Sequence, residues 1–351
     1  MVLLWLLVFC SAQAESLVPE EKGAVRLYRT PSEQREAGLN HQLTPWLTVG
    51  GLAELEWNYD RLGYSNRRSN QGDDDSSASV QLNATATPWS FAKGELILEY
   101  DTDTDRLDVD EAIAALEYGA WELAAGRQYL PFGVFFSHFA NGPLLEFGET
   151  RNTAVALAYD YDEHFDFSLA VYQGQGQKAD KNSKQMDWTL ALEAWPNDSL
   201  SFGFSYLSDL ADADSDLLGD DNHRYQRRVA GVSGYLLWIN GRYEISAEAL
   251  GATRSFRELD ADSNQPLAWN LEFAHYLHPN VDWALRVEGS DGLEDAPKLR
   301  YGAAISFRAG RYGSLTIDYL HSHFKHNFAS DDNDNPINQN DQVSAQLSVA
   351  F

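Results

Sequence analysis

Residues 341–351 read DQVSAQLSVAF. Val343, Ala345, Leu347, Val349 and Phe351 fall on one face of a period-two strand, and Gln342, Ser344, Gln346 and Ser348 fall on the other. One face of such a strand is apolar and the other is wet. The alternation recurs upstream: Trp188, Leu190, Leu192 and Ala194 against Asp187, Thr189, Ala191 and Glu193, then Val281, Trp283, Leu285 and Val287 against Asp282, Ala284, Arg286 and Glu288. Thirteen further runs begin near Trp46, Ser77, Phe91, Glu111, Trp121, Thr153, Phe165, Leu200, Val229, Tyr243, Leu267, Leu299 and Gly313, making sixteen predicted strands with these three. An even count of half-apolar strands fits an all-β fold, a transmembrane antiparallel β-barrel of sixteen strands.

The connections support this independently. Short links at 88–90, 119–120, 162–164, 196–199, 240–241, 278–280 and 309–311 alternate with longer ones along the whole chain. Asn240-Gly241 and Pro279-Asn280 are turn dipeptides for backbone reasons. Barrels of this class carry short turns on the periplasmic side, so both termini are expected there. The outward faces are nearly free of charge, with His275 as the one ionisable side chain read on them. The tenth strand is apolar on both faces, which makes its placement the weakest in the pattern.

No apolar run is long enough for a helix to cross a bilayer: the continuous one, residues 2–10, is far too short. That run and the small-x-small Ala12-Gln13-Ala14 read as a signal peptide over residues 1–14. Its positively charged start is missing, which points to a start codon upstream of Met1. Cys10 follows the bulky Phe9, which does not suit lipoprotein processing, and it leaves with the signal. Residues 15–45 form a polar periplasmic segment with a short helix at PSEQREAG, 31–38, and residues 46–351 form the barrel. Ten Trp, 17 Tyr and 17 Phe suit aromatic girdles at two membrane interfaces.

The net charge of −27, with 53 acids against 26 bases, argues against direct binding of nucleic acid. The acidic runs Asp73-Asp74-Asp75, 212–216 and 331–334 read as solvated loops; none has the spacing of a known calcium loop.

One connection differs from the rest. Residues 128–152 read QYLPFGVFFSHFANGPLLEFGETRN, with Phe132, Phe135, Phe136, Phe139 and Phe147 and almost no acid before Glu146 and Glu149. A loop this apolar should not stand in water. As the third outer loop it is expected to fold into the lumen and narrow it, the alternatives being an oligomer contact or a lid over the mouth.

The closing strand, ending on an aromatic carboxyl residue, resembles the assembly signal that the barrel-assembly machinery reads on bacterial outer-membrane barrels. GRQYLPFGVF at 126–135, PLLEFGETR at 143–151 and PWLTVGGLAELE at 45–56 resemble the LbtU-type siderophore porins of Gram-negative outer membranes. The resemblance follows the barrel in strand order and rests on these short motifs. It implies a sixteen-stranded barrel that passes iron chelates; outer-membrane lipids, lipopolysaccharide and a small solute, a ferric siderophore among the candidates, are the expected partners, and no cofactor is expected.

Inward charges set what such a pore passes. Lys93, Arg127, Arg286, Arg300 and Arg308 are expected to face inward, outnumbered by Glu54, Glu56, Glu95, Glu99, Glu193, Glu244, Glu248, Glu272, Asp282, Glu288 and Asp318. The lumen should favour cations. Arg127, Arg286 and Arg300 facing Glu146 and Glu149, with Phe132, Phe135, Phe136 and Phe139, form the expected constriction, unless these charges simply pair across strands. His321 and His323 share a face within HSHFKH, where His326 follows, but no cysteine accompanies them and Lys325 intervenes, so no metal site is assigned. No nucleotide loop, nucleophile elbow or zinc-protease helix is present. The remaining enzymatic alternative, an outer-membrane lipid hydrolase, needs a Ser, a His and an acid converging on the outward surface, and His275 has no outward Ser near it in sequence. The reading is a channel without catalysis, for siderophores or, alternatively, for cations in general.

Overall fold

The computed structural model describes residues 41–64, 71–161, 164–178, 184–215, 217–218, 224–310, 313–326, 328–331 and 335–351. The signal peptide, the expected helix at 31–38 and most of the 15–45 segment lie outside the described residues.

Sixteen long strands close one sheet on itself, each antiparallel to its neighbours. They are β1 Leu47–Tyr64, β2 Gln71–Trp89, β3 Ala92–Asp101, β4 Arg106–Tyr118, β5 Trp121–Tyr129, β6 Arg151–Tyr161, β7 Phe165–Lys178 and β8 Lys184–Asn197. There follow β9 Leu200–Leu207, β10 Gly231–Asn240, β11 Tyr243–Ala252, β12 Leu267–His278, β13 Val281–Asp291, β14 Leu299–Ala309, β15 Gly313–His323 and β16 Pro336–Ala350. Closure is made by the strand that ends the chain: β16 pairs with β1 from Ile337↔Tyr64 to Ala350↔Leu52. The Phe351 ring lies over Gly51, where a side chain would meet it at 2.6 Å.

The period-two pattern decides the faces. On β15, Asp318, Leu320 and Ser322 are buried inside, while Leu315, Ile317 and Tyr319 stand exposed outside. Leu285 and Val287 on β13 and Phe202 and Phe204 on β9 extend the same apolar outer band. Links of two or three residues join the strands at one rim, and Gly119, Gly241 and Gly310 supply the positive φ of 62°, 60° and 69° at three of them.

Where strands begin elsewhere than the pattern suggests, the ladder is the reason. The β1–β2 hairpin continues past its apolar stripe, so Asp73, Asp74 and Asp75 pair with Asp60, Tyr59 and Asn58 instead of forming a loop. In β4 the partner of β3 jumps from Glu111 to Val109 between Ile97 and Leu98, leaving Asp110 in a bulge. A bulge flips the alternation. The expected start at Glu111 is that point, and the strand begins at Arg106. Likewise β16 begins at Pro336, five residues before the alternating run.

Candidate functional site: a loop strapped inside the barrel

The connection from β5 to β6, residues 130–150, runs inside the barrel and is fastened to inward side chains all along its length. Glu248 on β11 takes the N–H groups of both Val134 (3.0 Å) and Phe135 (2.9 Å). Gly133 at φ 78° and Phe135 at φ 49° make the reversal that aims both at one carboxylate. Glu272 accepts from His138 N (3.0 Å), Asp318 from Ala140 N (2.7 Å) and Glu288 from Leu144 N (2.7 Å). In the other polarity, Thr189 Oγ1 donates to the Pro131 carbonyl at 3.0 Å. Arg286 Nη1 donates to the carbonyls of Asn141 (2.9 Å) and Gly142 (3.1 Å), and Arg300 Nη2 to Gly142 (2.8 Å). Asn141 also donates its side-chain amide to Ser344 on β16. A loop without its own ladder thus has its polar backbone satisfied by the wall.

The apolar side chains complete the seam. Phe132, Leu145 and Phe147 join Leu130, Tyr172, Leu207, Leu210, Leu250 and Phe256 in one buried cluster. Phe139 packs on Ala274, Ala284, Ala304 and Leu320, and the three inward alanines leave room for the ring. The Arg286 guanidinium covers that ring at 4.2 Å. Phe136 meets Tyr235 edge-on at 5.9 Å. Phe132 and Phe139 are therefore packing residues, whereas Phe135 and Phe136 keep part of their surface open to the lumen.

Charge is redistributed relative to the sequence reading. Glu244, Glu248, Glu272, Asp282, Glu288 and Asp318 are buried, most of them as acceptors for the loop. Glu54, Glu56, Glu95, Glu99 and Glu193 remain partly exposed on the inner wall. Arg286 is buried between Glu272 (2.7 Å) and Glu288 (3.3 Å), and Arg300 shares Glu288 at 2.6 Å. Arg308 pairs with Asp282. Glu146 folds its carboxylate against Gly142, where a Cβ has no room. Water reaches Glu146, but the barrel encloses it. Loss of hydration first, and Glu149 second, push its carboxyl up to about 7 against the pull of Arg286 and Arg300. Glu149 ends the turn, its N–H on the Glu146 carbonyl.

Arg127 does not join this group. It pairs with Ala112 and Thr153 and shares a face with Leu123 and Ala125, opposite Val155. Leu123 is 46% and Val155 54% exposed, so that face is the outer one. The expectation that Arg127 lines the lumen is corrected. The inner positions of β5 belong to Ala124, Gly126 and Gln128.

His138 is the residue that sequence reasoning passed over. Its ring sits between Glu244 (3.3 Å) and Asp282 (3.6 Å), fully enclosed beneath the loop. Burial works against its charge, but Asp282, Glu244 and Glu272 prevail and raise its pKa to about 10, so it straps the loop as a cation. Its signal was in plain view: one basic ring close to Phe135, Phe136 and Phe139 in a loop expected to be buried.

A second correction concerns Asp212 within the run 212–216, where Asp214 is exposed as expected and residue 216 lies outside the described residues. Asp212 is 3% exposed, and with Asp187 and Asp209 it gathers near Arg228, which donates to Asp187 at 3.0 Å. The three carboxylates also accept from Gln175 N, Ser208 Oγ and Ala211 N, which fixes the start of the β9–β10 connection to the wall.

No protein-family model matches the chain, and no curated protein does. Solved structures match it in fold. The outer membrane channel DcaP of Acinetobacter baumannii is 14% identical with a TM-score of 0.58, over 89% of this chain and 100% of that one. Pseudomonas putida OprB is 10% identical, TM-score 0.58, over 87% and 94%. Salmonella typhi OmpF, in complex with daunomycin, is 12% identical, TM-score 0.57, over 90% and 99%. The likeness is one of architecture: a closed sixteen-stranded barrel.

Proposed function

We propose that the chain is a porin of a Gram-negative outer membrane, passing small solutes by passive diffusion with a preference for cations, both termini in the periplasm. One observation carries this: a loop is strapped inside a closed barrel that is apolar outside and charged inside, which is how a tube acquires a constriction. The constriction proposed is Phe135, Phe136, Glu146, Glu149 and Arg300, with Arg286 holding the loop from behind. The partly exposed acids of the inner wall favour cations, and a lumenal charge acts strongly where the bore is narrower than the screening length, about 8 Å at physiological salt.

Removing residues 134–143 is expected to raise single-channel conductance and, by uncovering Glu248, Glu272 and Asp318, to increase cation preference. Unchanged conductance would place the loop outside the permeation path. Cation preference should also fall as pH drops from 8 to 6, because a carboxyl with a pKa of about 7 is ionised above that value and neutral below it. In Glu146→Gln the reversal potential should stay flat across this window. A wild-type pH response in that variant would remove Glu146 from the pore.

The narrower assignment, uptake of ferric siderophores, rests on the three motifs at 45–56, 126–135 and 143–151. Block of single-channel current by ferric siderophore at low concentration would support a specific site; current indifferent to it leaves a general cation channel. If the closing strand is read by the assembly machinery, deleting Phe351 should lower the barrel recovered from outer membranes. Recovery at wild-type level counts against that role.

A further inference from the structure

We propose that His321 and His323 form a binding site for a borderline divalent transition metal on the outer wall of the barrel, at the rim of the long loops. Both histidines continue the outer face of β15 beyond Ile317 and Tyr319, while Ser322 between them is buried inside. Their Nε2 atoms stand 3.1 Å apart, with the rings at 79°. Nδ1 of His321 lies 2.6 Å from Asp341 Oδ1, and His321 and Asp341 are cross-strand partners on β15 and β16. Tyr319 donates to the same oxygen at 2.6 Å.

An ionised carboxylate only accepts, so the ring proton of His321 stays on Nδ1. Its Nε2 lone pair is then fixed toward His323. This carboxylate–histidine pairing is the arrangement that sets tautomer and raises basicity in metal-ligating histidines. Tyr301 on β14 packs on both rings, its centroid 5.4 Å from that of His321 and 6.3 Å from that of His323, and limits their rotation.

With metal–nitrogen bonds of about 2.0–2.1 Å, a separation of 3.1 Å gives an N–metal–N angle of about 98°, between the octahedral and tetrahedral values. His323 is exposed, so water can fill the remaining coordination positions. Imidazole pairs suit Zn²⁺, Ni²⁺ and Cu²⁺ and do not suit hard cations such as Ca²⁺ and Mg²⁺, which take oxygen ligands. The competing account of the same geometry is a single N–H···N hydrogen bond between the rings, without metal.

The test is a competition titration of Zn²⁺ against a chromophoric chelator, with the full chain folded in detergent micelles at pH 7.5. One Zn²⁺ per chain is expected, displaced by Ni²⁺ or Cu²⁺ and not by Ca²⁺. His321→Ala and His323→Ala should each weaken binding at least tenfold. Asp341→Asn, which leaves both nitrogens in place, should weaken it by about 10- to 100-fold. His326→Ala should leave it unchanged. Folding of each variant is checked by the heat-dependent gel shift of the barrel. Absence of Zn²⁺ binding to the wild type up to millimolar metal, or the same affinity in the His321→Ala/His323→Ala double variant, overturns the proposal.

Discussion

Replacing Arg286 with Ala is expected to cost about 3–5 kcal/mol of barrel stability, the range found when one partner of a buried ion pair is removed. The residue is 1% exposed and joins wall carboxylates, loop carbonyls and a loop ring. It donates to Glu272 at 2.7 Å and Glu288 at 3.3 Å, to the carbonyls of Asn141 and Gly142, and to Ser137 Oγ, with its plane over the Phe139 ring. Its removal leaves Glu272 and Glu288, 1% and 0% exposed, with less compensation in a site from which water is excluded. Arg300 reaches Glu288 but has no hydrogen bond to Glu272. Arg286→Lys keeps the charge and loses the planar fork that serves several acceptors at once, so it should fall between wild type and Ala. A urea titration of the protein folded in lipid vesicles measures the difference. A cost under about 1 kcal/mol, within the range of exposed surface pairs, would mean that water enters the seam and that the strap is not held from this point.

The same residue shows where sequence reasoning stops. Alternation along β13 placed Arg286 and Glu288 inside, and they are inside. What alternation cannot carry is what lies over that face. Glu248, Glu272, Glu288 and Asp318 look from the sequence like lumen lining, yet each is covered by a loop more than a hundred residues away along the chain. The loop itself was legible because five phenylalanines within residues 128–152 require apolar cover. Its docking was not, since the cover of Phe139, for one, is assembled from Ala274, Ala284, Ala304 and Leu320 on four strands, none distinctive alone. Arg127 is a different case. Trp121, Leu123 and Ala125 already set its parity, so its outward placement was present in the pattern. Asp212 was misread for a third reason: an acidic run signals solvent by composition, and the nearby arginine that allows burial, Arg228, comes sixteen residues later.

The assignment of faces has its own direct consequence. Ile317→Arg should destabilise the folded barrel in lipid by about 2–4 kcal/mol, the cost of an arginine on the lipid face near the bilayer midplane. Ile317 lies near the middle of β15, 39% exposed on the outer face, between Ile305 and Ala345 on the neighbouring strands. Its neighbour along the chain, Thr316, turns inward and is half-buried, with its hydroxyl 3.0 Å from Ser306 Oγ. Thr316→Arg loses that hydroxyl contact, about 0.5–1.5 kcal/mol, and its guanidinium gains an acid-rich interior in exchange, so it should cost far less than the outward change. Thr189, another inward threonine, is unsuitable for the comparison, because it is fully buried beneath the loop and bonded to Pro131. Depth gives the second arm: Tyr319→Arg, closer to the long-loop rim, should cost less than Ile317→Arg, because the penalty falls to about 0–1 kcal/mol at the interface. Equal costs for Ile317→Arg and Thr316→Arg in a vesicle-refolding titration would mean that the outer band does not meet lipid, and the membrane assignment would fail with it.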